Sequence, residues 1–534
     1  MNTSNQSLEP DRRDYWIASG LFVVTLSVYI RTLAPDILYG DSAEFQTLVY
    51  TLGHTHSTGY PIYLLLARLV GLLPVGNLAW RVNLFSAISA AITVAGVYLI
   101  ARYFTRNRMG PILGSLLLAG SYTFWLNAII AEVYTPGTAF IAVIMNFLLR
   151  WQEAPEKRSR LLLISAALSV VGVGAHASVG LLAPAAVLLV LWVLVIVRQN
   201  HQLVVKSLTR AVLGVIGGGV LLLAAFLFID WHDPVSSFYH VMLEPSRSIW
   251  HLKPEDIDTP AKRIFLTMTG LQWRDAMFPK DLNFDAEVYD YVERASTIEF
   301  QWLFLLFALI GLGWAVYKLP RKCLFLVAFL ACAIYFTLHY NAPDQYVFYL
   351  PSYVVFGSAG GFGIGLMLDW LDRQLRVKPP IQIVLHIGLI GLLTFWMSAS
   401  FLDSRWEAIK KGVATFVHED YVFPVERVKE PRVVATQLLR RLPENAVLIM
   451  DWRALYTTYY LAHVEMLKPD VRIIEAIPHG SDGNLADSLT AELTQLIQQG
   501  YPVFSENLYG DIKDRFHVER SSSVGFYRLS LLDK

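Results

Sequence analysis

Two carboxylates three residues apart stand in Gly40-Asp-Ser-Ala-Glu-Phe45, a spacing that puts Asp41 and Glu44 on one face of a helix. The stretch around them is largely apolar, and a partly desolvated carboxylate there has the raised proton affinity that a general base needs. The same spacing also suits a helix start, with Asp41 as the cap and Glu44 in the first turn. His54 and His56 follow in Gly53-His-Thr-His-Ser-Thr-Gly-Tyr-Pro61. They could join Asp41 or Glu44 around a metal, donate hydrogen bonds to a phosphate oxygen, or cap and solvate a turn. No other ligand cluster has recognisable metal spacing, so a divalent metal is disfavoured and no cofactor is assigned on this evidence. Gly59 and Pro61 mark a chain reversal.

Further along, Glu132 lies in Ala131-Glu-Val-Tyr134, His176 in Gly172-Val-Gly-Ala-His176 and Asp344 in Asn341-Ala-Pro-Asp-Gln-Tyr346. Each falls at the end of an apolar block, where an ionisable side chain is costly unless it is paired or functional. For His176 the simpler reading is an interhelical contact, and for Asp344 a turn residue. Asp41, Glu44, His54, His56, Glu132, His176 and Asp344 all map to the same boundary of the apolar blocks. That placement favours chemistry at an interface over a path through a bilayer.

The elements that must hold these residues are membrane helices. Hydrophobic residues make up 54% of the chain and charged residues 16%, with a mean hydropathy of +0.43, a balance foreign to soluble domains. Apolar blocks long enough to cross a bilayer fall near 15–33, 80–104, 111–129, 134–151, 161–179, 182–198, 211–229, 300–317, 323–340, 347–368 and 381–400. The reading is an α-helical polytopic membrane protein of about eleven spans. Arg12 and Arg13 precede the first block without a small-residue cleavage site, so that block reads as a retained helix. Cys323 and Cys332 share one span and read as inert apolar residues. The formal net charge of zero suggests no nucleic-acid partner.

Basic residues sort the connecting loops. Arg12 and Arg13, Arg102 to Arg108, Lys157 to Arg160, Arg198 to Arg210, Lys318 to Lys322 and Arg373 to Lys378 occupy one set. The alternate short loops near 130–134, 180 and 340–346 carry no Lys or Arg. The expected N-terminus is therefore cytoplasmic, and residues after about 400 lie outside. A bacterial plasma (inner) membrane is the expected location.

The chain divides into a multi-span module, 1–400, with outer loops 34–79 and 230–299, and a soluble extracytoplasmic domain, 401–534. Within the first loop, Tyr60 to Leu73 is amphipathic and short for a span. The tail reads as α/β: a strand at Val447–Met450, a helix from Ala454 to Glu465, a strand from Val471 to Ala476, a helix from Leu485 to Gln499, and strand character from Pro502 onward. No phosphate-binding glycine loop appears there. Gly217-Gly-Gly219 falls inside a span and reads as a close helix contact.

The stretch from Asp36 to Ala91 resembles a family of polytopic membrane proteins related to transmembrane protein 260, a protein O-mannosyltransferase. The pieces that carry the likeness are Gly40-Asp-Ser-Ala-Glu-Phe45, His56-Ser-Thr-Gly-Tyr-Pro61, Leu64-Leu-Leu-Ala-Arg68 and Trp80-Arg-Val-Asn-Leu-Phe-Ser86. It continues through Phe124-Trp125, Ala131-Glu-Val-Tyr134 and Gly174-Ala-His176, and thins after about residue 180. Val347 to Tyr353 and the tail around Asp451 and Tyr460 look similar too. Two departures stand out: His56-Ser-Thr-Gly where the family favours His-Pro-Pro-Gly, and Ser-Ala-Glu where Ser-Gly-Glu is usual.

The resemblance implies a GT-C type fold and an inverting transfer of a sugar, mannose by family, from a polyprenyl-phosphate donor to a hydroxyl acceptor. Asp41 would be the base and Glu44 would orient the acceptor or share that role. A phosphate leaving group needs cationic and hydrogen-bonding partners, for which His54, His56, Arg68, Arg81, Arg247, Lys253 and Arg263 are candidates. Glu132, His176 and Asp344 complete the binding candidates. Membrane lipids, the lipid-linked donor and a protein or glycan acceptor are the expected partners. A flippase or transporter without transferase activity is the alternative, although the ionisable midplane residues and paired halves typical of transporters are missing.

Overall fold

The computed structural model describes residues 8–375 and 429–532, with four single positions (384, 388, 391 and 410) between them. The expected span 381–400, the basic residues Arg376 and Lys378, and the first part of the tail lie outside the described residues. A helix stands at each of the other ten expected spans. Six are long and apolar enough to cross a membrane, or up to eight when each of two bent pairs counts as one span. The bent pairs are Met109–Gly120 with Tyr122–Ala128, at 68°, and Phe284–Glu299 with Trp302–Lys318, at 109°. The chain is a multi-pass membrane protein.

The chain forms two compact units. One consists of Met1–Leu33, Leu84–Leu222 and Ala276–Phe416. Its apolar helices pack through small residues, as lipid-embedded helices do. Gly110 and Gly114 of the helix Met109–Gly120 lie directly against Gly357, Gly361 and Gly365 of the helix Leu350–Leu375, with no room for a side chain on either glycine of the first helix. Of Gly217-Gly-Gly219, only Gly218 makes such a contact, against Ala167 and Val170; its two neighbours face open space. At one helix end, buried Asp14 accepts from Arg102 Nε at 2.8 Å, Arg108 Nε at 2.9 Å and the Tyr98 hydroxyl at 2.8 Å. Two arginines from the basic loop set are thus anchored by a carboxylate that the first helix supplies.

The other unit joins Ala34–Asn83, Leu223–Asp275 and Val417–Lys534. Its frame is a five-stranded sheet, β1 (Val447–Met450), β2 (Arg472–Glu475), β3 (Val503–Ser505), β4 (His517–Arg520) and β5 (Tyr527–Ser530), in the order β2-β1-β3-β5-β4. β1 pairs in parallel with β2 and β3, while β5 runs antiparallel to β3 and β4. β1 is buried along its length, as a continuous apolar run predicts for a central parallel strand. β4 is largely exposed, as befits an edge strand. Leu485, Leu489 and Leu493 from and just before the helix Asp487–Gln498 share a core with Ile449 of β1 and Ile474 of β2.

Around this sheet, the helix Trp452–Tyr459 follows β1 directly, with Asp451 as its N-cap. It packs on the helix Gly40–Thr51. Thr47 Oγ1 donates to the Tyr456 carbonyl at 3.1 Å, and Thr457 Oγ1 to the Leu38 carbonyl at 2.5 Å. The amphipathic stretch forms the helix Pro61–Gly71, which buries Ile62, Tyr63, Leu64 and Ala67 and leaves Leu69 exposed.

Candidate functional site

The helix Gly40–Thr51 starts at Tyr39, and no side chain caps it. The capping alternative for Asp41 is therefore not the one realised. Asp41 instead accepts a hydrogen bond from Trp452 Nε1 at 2.6 Å on Oδ1, and its side chain remains about one-third exposed. Three residues on, Glu44 is completely buried. Both of its oxygens are directed at His56: Oε1 accepts the His56 backbone N–H at 2.7 Å, and Oε2 lies 2.5 Å from Nδ1. Burial pushes the Glu44 carboxyl above its ordinary range, and the facing His56 opposes that rise. A carboxylate on Nδ1 fixes the ring so that Nε2 points away from it, and Nε2 lies 3.9 Å from Asp41 Oδ2. That gap is too long for a direct hydrogen bond.

His56 is walled by aromatic rings. Tyr60 stands 5.4 Å away centroid to centroid, Phe45 5.8 Å and Trp452 5.9 Å. The turn that brings it back onto the helix needs two glycines. A side chain on Gly53 would run into Pro234 and Ser237, and one on Gly59, whose φ is +90°, into Phe226 and Thr267. The spacing of glycines around the two histidines thus reflects close approach of the segment Leu223–Asp275 to the segment Ala34–Asn83.

His54 faces that second segment. Its Nε2 lies 3.1 Å from Asp230 Oδ1, and Asp230 also takes two bonds from Arg263, at 2.9 and 2.6 Å. The two histidines therefore serve different carboxylates, and no shared metal position joins them. Among the described residues there is no group of three or more His, Cys, Asp or Glu placed to hold a metal ion.

The other expected residues separate. Arg68 donates to the carbonyls of Val49 and Tyr50 and lies over the Tyr50 ring, while Arg81 donates to the Leu73 carbonyl. Arg247 donates to the Glu244 carbonyl at 2.8 Å, and Lys253 is exposed. In the other unit, Asp344 Oδ2 accepts from the Tyr134 hydroxyl at 3.2 Å, the Tyr134 ring packs 5.0 Å from His176, and His176 Nδ1 lies 2.6 Å from Ser178 Oγ. Glu132 is buried. Arg294, on no earlier list of candidates, bonds buried Glu299 at 3.2 Å and stacks 4.1 Å over Tyr346.

Sequence reasoning also missed Trp452, Asp230 and Glu475. Glu475 ends β2, is 4% exposed, and its Oε2 has no hydrogen-bond partner among the described residues. Its burial, together with the negative charge of Asp451, Glu44 and Asp41, drives its carboxyl well above the ordinary range. The signal available in the sequence was the position: Asp451-Trp452 and Glu475 both stand at carboxyl ends of parallel strands, where α/β sheets place ligand sites.

Residues 41–200 match the model of the Protein O-mannosyl-transferase TMEM260 N-terminal domain. Protein O-mannosyl-transferase TMEM260 of Mus musculus is 32% identical over 145 residues. The chain is related to the TMEM260 proteins. That match spans 26% of this chain and only 20% of the mouse protein, so the relation is carried by the TMEM260-like segment alone. It contains Asp41, Glu44, His54 and His56. In overall fold the chain resembles ArnT from Cupriavidus metallidurans bound to undecaprenyl phosphate, with a TM-score of 0.56 at 13% identity over 96% of this chain and 97% of that one. An oligosaccharyltransferase from Archaeoglobus fulgidus in the apo form gives 0.54 at 11% identity, over 92% of this chain and 70% of that one. The fold is that of the GT-C glycosyltransferases, as the sequence resemblance implied.

Proposed function

We propose that this chain is an inverting glycosyltransferase that moves a sugar from a polyprenyl-phosphate donor to a hydroxyl acceptor at the extracytoplasmic face of the membrane. Asp41 is the base. The observation that carries the reading is the arrangement of Asp41, whose Oδ1 is held by Trp452 while Oδ2 faces the fixed imidazole of His56 across 3.9 Å. One oxygen orients the carboxylate and the other is left to take a proton. The relation to TMEM260 over the segment holding Asp41 and His56, and the GT-C fold, support the reaction class.

The reaction is a single displacement. The acceptor oxygen forms a bond to the anomeric carbon as the bond from that carbon to the donor's phosphate oxygen breaks; the acceptor proton passes to Asp41. The lipid phosphate leaves as an anion and needs no strong acid. His56, as an imidazolium with Nδ1–H on Glu44, is the group placed to donate from Nε2 to it. Glu44, with both oxygens on His56 and no exposure, acts through His56 and is a positioning residue. Arg263 and His54 are engaged by Asp230 and brace the turn that carries His56. Mannose and a protein hydroxyl are the donor sugar and acceptor suggested by the mouse relative's name, and a Ser or Thr side chain is the acceptor we propose. The basic-loop pattern supports a cytoplasmic N-terminus with the domain after 400 outside; a plasma (inner) membrane is the location we propose.

The test is transfer from radiolabelled polyprenyl-phosphate sugars in membranes holding wild type or Asp41→Asn. Label reaching protein or glycan with wild type and falling at least a hundredfold in the variant is the expected result. Equal transfer by the variant removes Asp41 from the chemistry. Donor crossing the bilayer unconsumed by both proteins replaces the reading with a flippase.

A further inference from the structure

A second polar site lies in the same unit, apart from Asp41 and His56. It is a cleft of about 330 Å³ lined by Tyr50, Arg68, Asn77, Arg81, Tyr460 and Glu465, among others. Two arginines face it. Arg68 spends one terminal nitrogen on the carbonyls of Val49 and Tyr50, and its guanidinium lies 5.0 Å from the Tyr50 ring centroid. Arg81 spends one terminal nitrogen on the Leu73 carbonyl, while its Nε is buried with no hydrogen-bond partner among the described residues. A buried guanidinium N–H without an acceptor is costly, and it leaves the Arg81 charge incompletely compensated within the protein.

The single carboxylate in the lining does not neutralise them. Both Glu465 oxygens are taken by Arg432, at 2.7 and 2.8 Å. Arg432 also binds Asp36 at 2.6 Å, so three arginines stand against two carboxylates and the cleft keeps a net positive charge. Beside it runs an apolar surface: Leu69, Leu72, Leu73 and Val75 are 63, 66, 42 and 47% exposed. In a membrane protein, apolar side chains left outward beside arginines match a ligand with a phosphate at one end and hydrocarbon at the other.

The geometry points to a binding site for one anionic phospholipid, its phosphodiester on Arg68 and Arg81 and its acyl chains along Leu69, Leu72, Leu73 and Val75. A zwitterionic headgroup fits less well, because its ammonium would need the carboxylate that Arg432 already holds. The bound lipid would fix the helix Pro61–Gly71 at the membrane surface. This inference is independent of sugar transfer and goes beyond it.

The experiment uses the full chain, purified in detergent, delipidated, and titrated with phosphatidylglycerol or phosphatidylcholine under native mass spectrometry. Wild type is expected to retain one phosphatidylglycerol at about 10–30-fold lower lipid concentration than phosphatidylcholine, the preference two interfacial arginines supply. The double variant Arg68→Gln/Arg81→Gln loses that preference, whereas Lys262→Gln, which removes an exposed charge elsewhere, keeps it. An unchanged preference in the double variant overturns the site. Displacement of the lipid by excess inorganic phosphate also overturns it, in favour of a soluble-anion pocket. Should the double variant fail to fold, Arg81→Lys provides the same reading: it keeps the charge but loses the planar guanidinium fork, and a several-fold weaker preference is expected, with full retention counting against the site.

Discussion

Replacing Glu44 with Gln separates charge from shape at the centre of the site. The amide is nearly isosteric, and its oxygen can still accept the His56 backbone N–H, now at 2.7 Å. The second oxygen, 2.5 Å from Nδ1, becomes an NH2 group that can only donate. His56 must then present an unprotonated Nδ1, so the ring is held neutral, with its remaining proton on Nε2, toward Asp41. The loss is one charge-assisted hydrogen bond in a buried site, about 1.5–3 kcal/mol, or roughly 10–150-fold in turnover at 1.36 kcal/mol per tenfold. Thermal stability should change little, because a neutral amide avoids the desolvation cost of the buried carboxylate. The assay is transfer of labelled sugar at saturating donor, measured across pH. Burial raises the Glu44 carboxyl above its ordinary 4.5. Holding His56 requires the charged form, so wild-type activity should fall as pH drops through a value above 4.5. The Gln variant should lose the contribution of Glu44 to that limb. Turnover within about threefold of wild type, with the limb intact, would refute the assignment of Glu44 as the residue that positions His56.

Trp452→Phe keeps a ring beside His56 but removes the 2.6 Å bond to Asp41; because Asp41 is one-third exposed, the expected loss is about tenfold in kcat, checked in the same transfer assay with donor KM measured alongside. Asp230→Asn leaves Arg263 charged without its bidentate partner and should lower stability by about 3 kcal/mol; a double-mutant cycle with Arg263→Gln should recover part of it, read from thermal unfolding in detergent. His240 is flanked by Asp233 at 3.0 Å and Glu244 at 3.3 Å. Burial alone would lower its pKa, but these two hydrogen bonds outweigh burial and push it up to about 9. The stabilisation is fully present below about 6.5 and fades as pH rises through about 9. Both carboxylates are about two-fifths exposed, which reduces it to about 1 kcal/mol. His240→Gln should flatten the pH dependence of the unfolding temperature over that window.

The sequence alone determined what short-range order can encode. Runs of apolar residues placed the helices, since a lipid-embedded segment must satisfy its backbone internally over a fixed thickness. The i, i+3 spacing put Asp41 and Glu44 on one helix, and the continuous apolar run at Val447–Met450 marked a buried parallel strand. What each carboxylate does was decided by tertiary structure. One face of a helix can look outward or inward, and here three residues separate a carboxylate that is one-third exposed from one that is wholly dry. The partner that orients Asp41 is Trp452, 411 positions away, and no periodicity reaches that far. His54 and His56 alternate in sequence as metal ligands can, yet the turn closed by Gly53 and Gly59 sends them to Asp230 and Glu44 respectively. Arg68, Arg81 and Arg263 are alike as charges in a sequence. Only the fold distinguishes the one already paired with a carboxylate from the two that line a cleft, because the energy of a charge depends on what else is buried beside it.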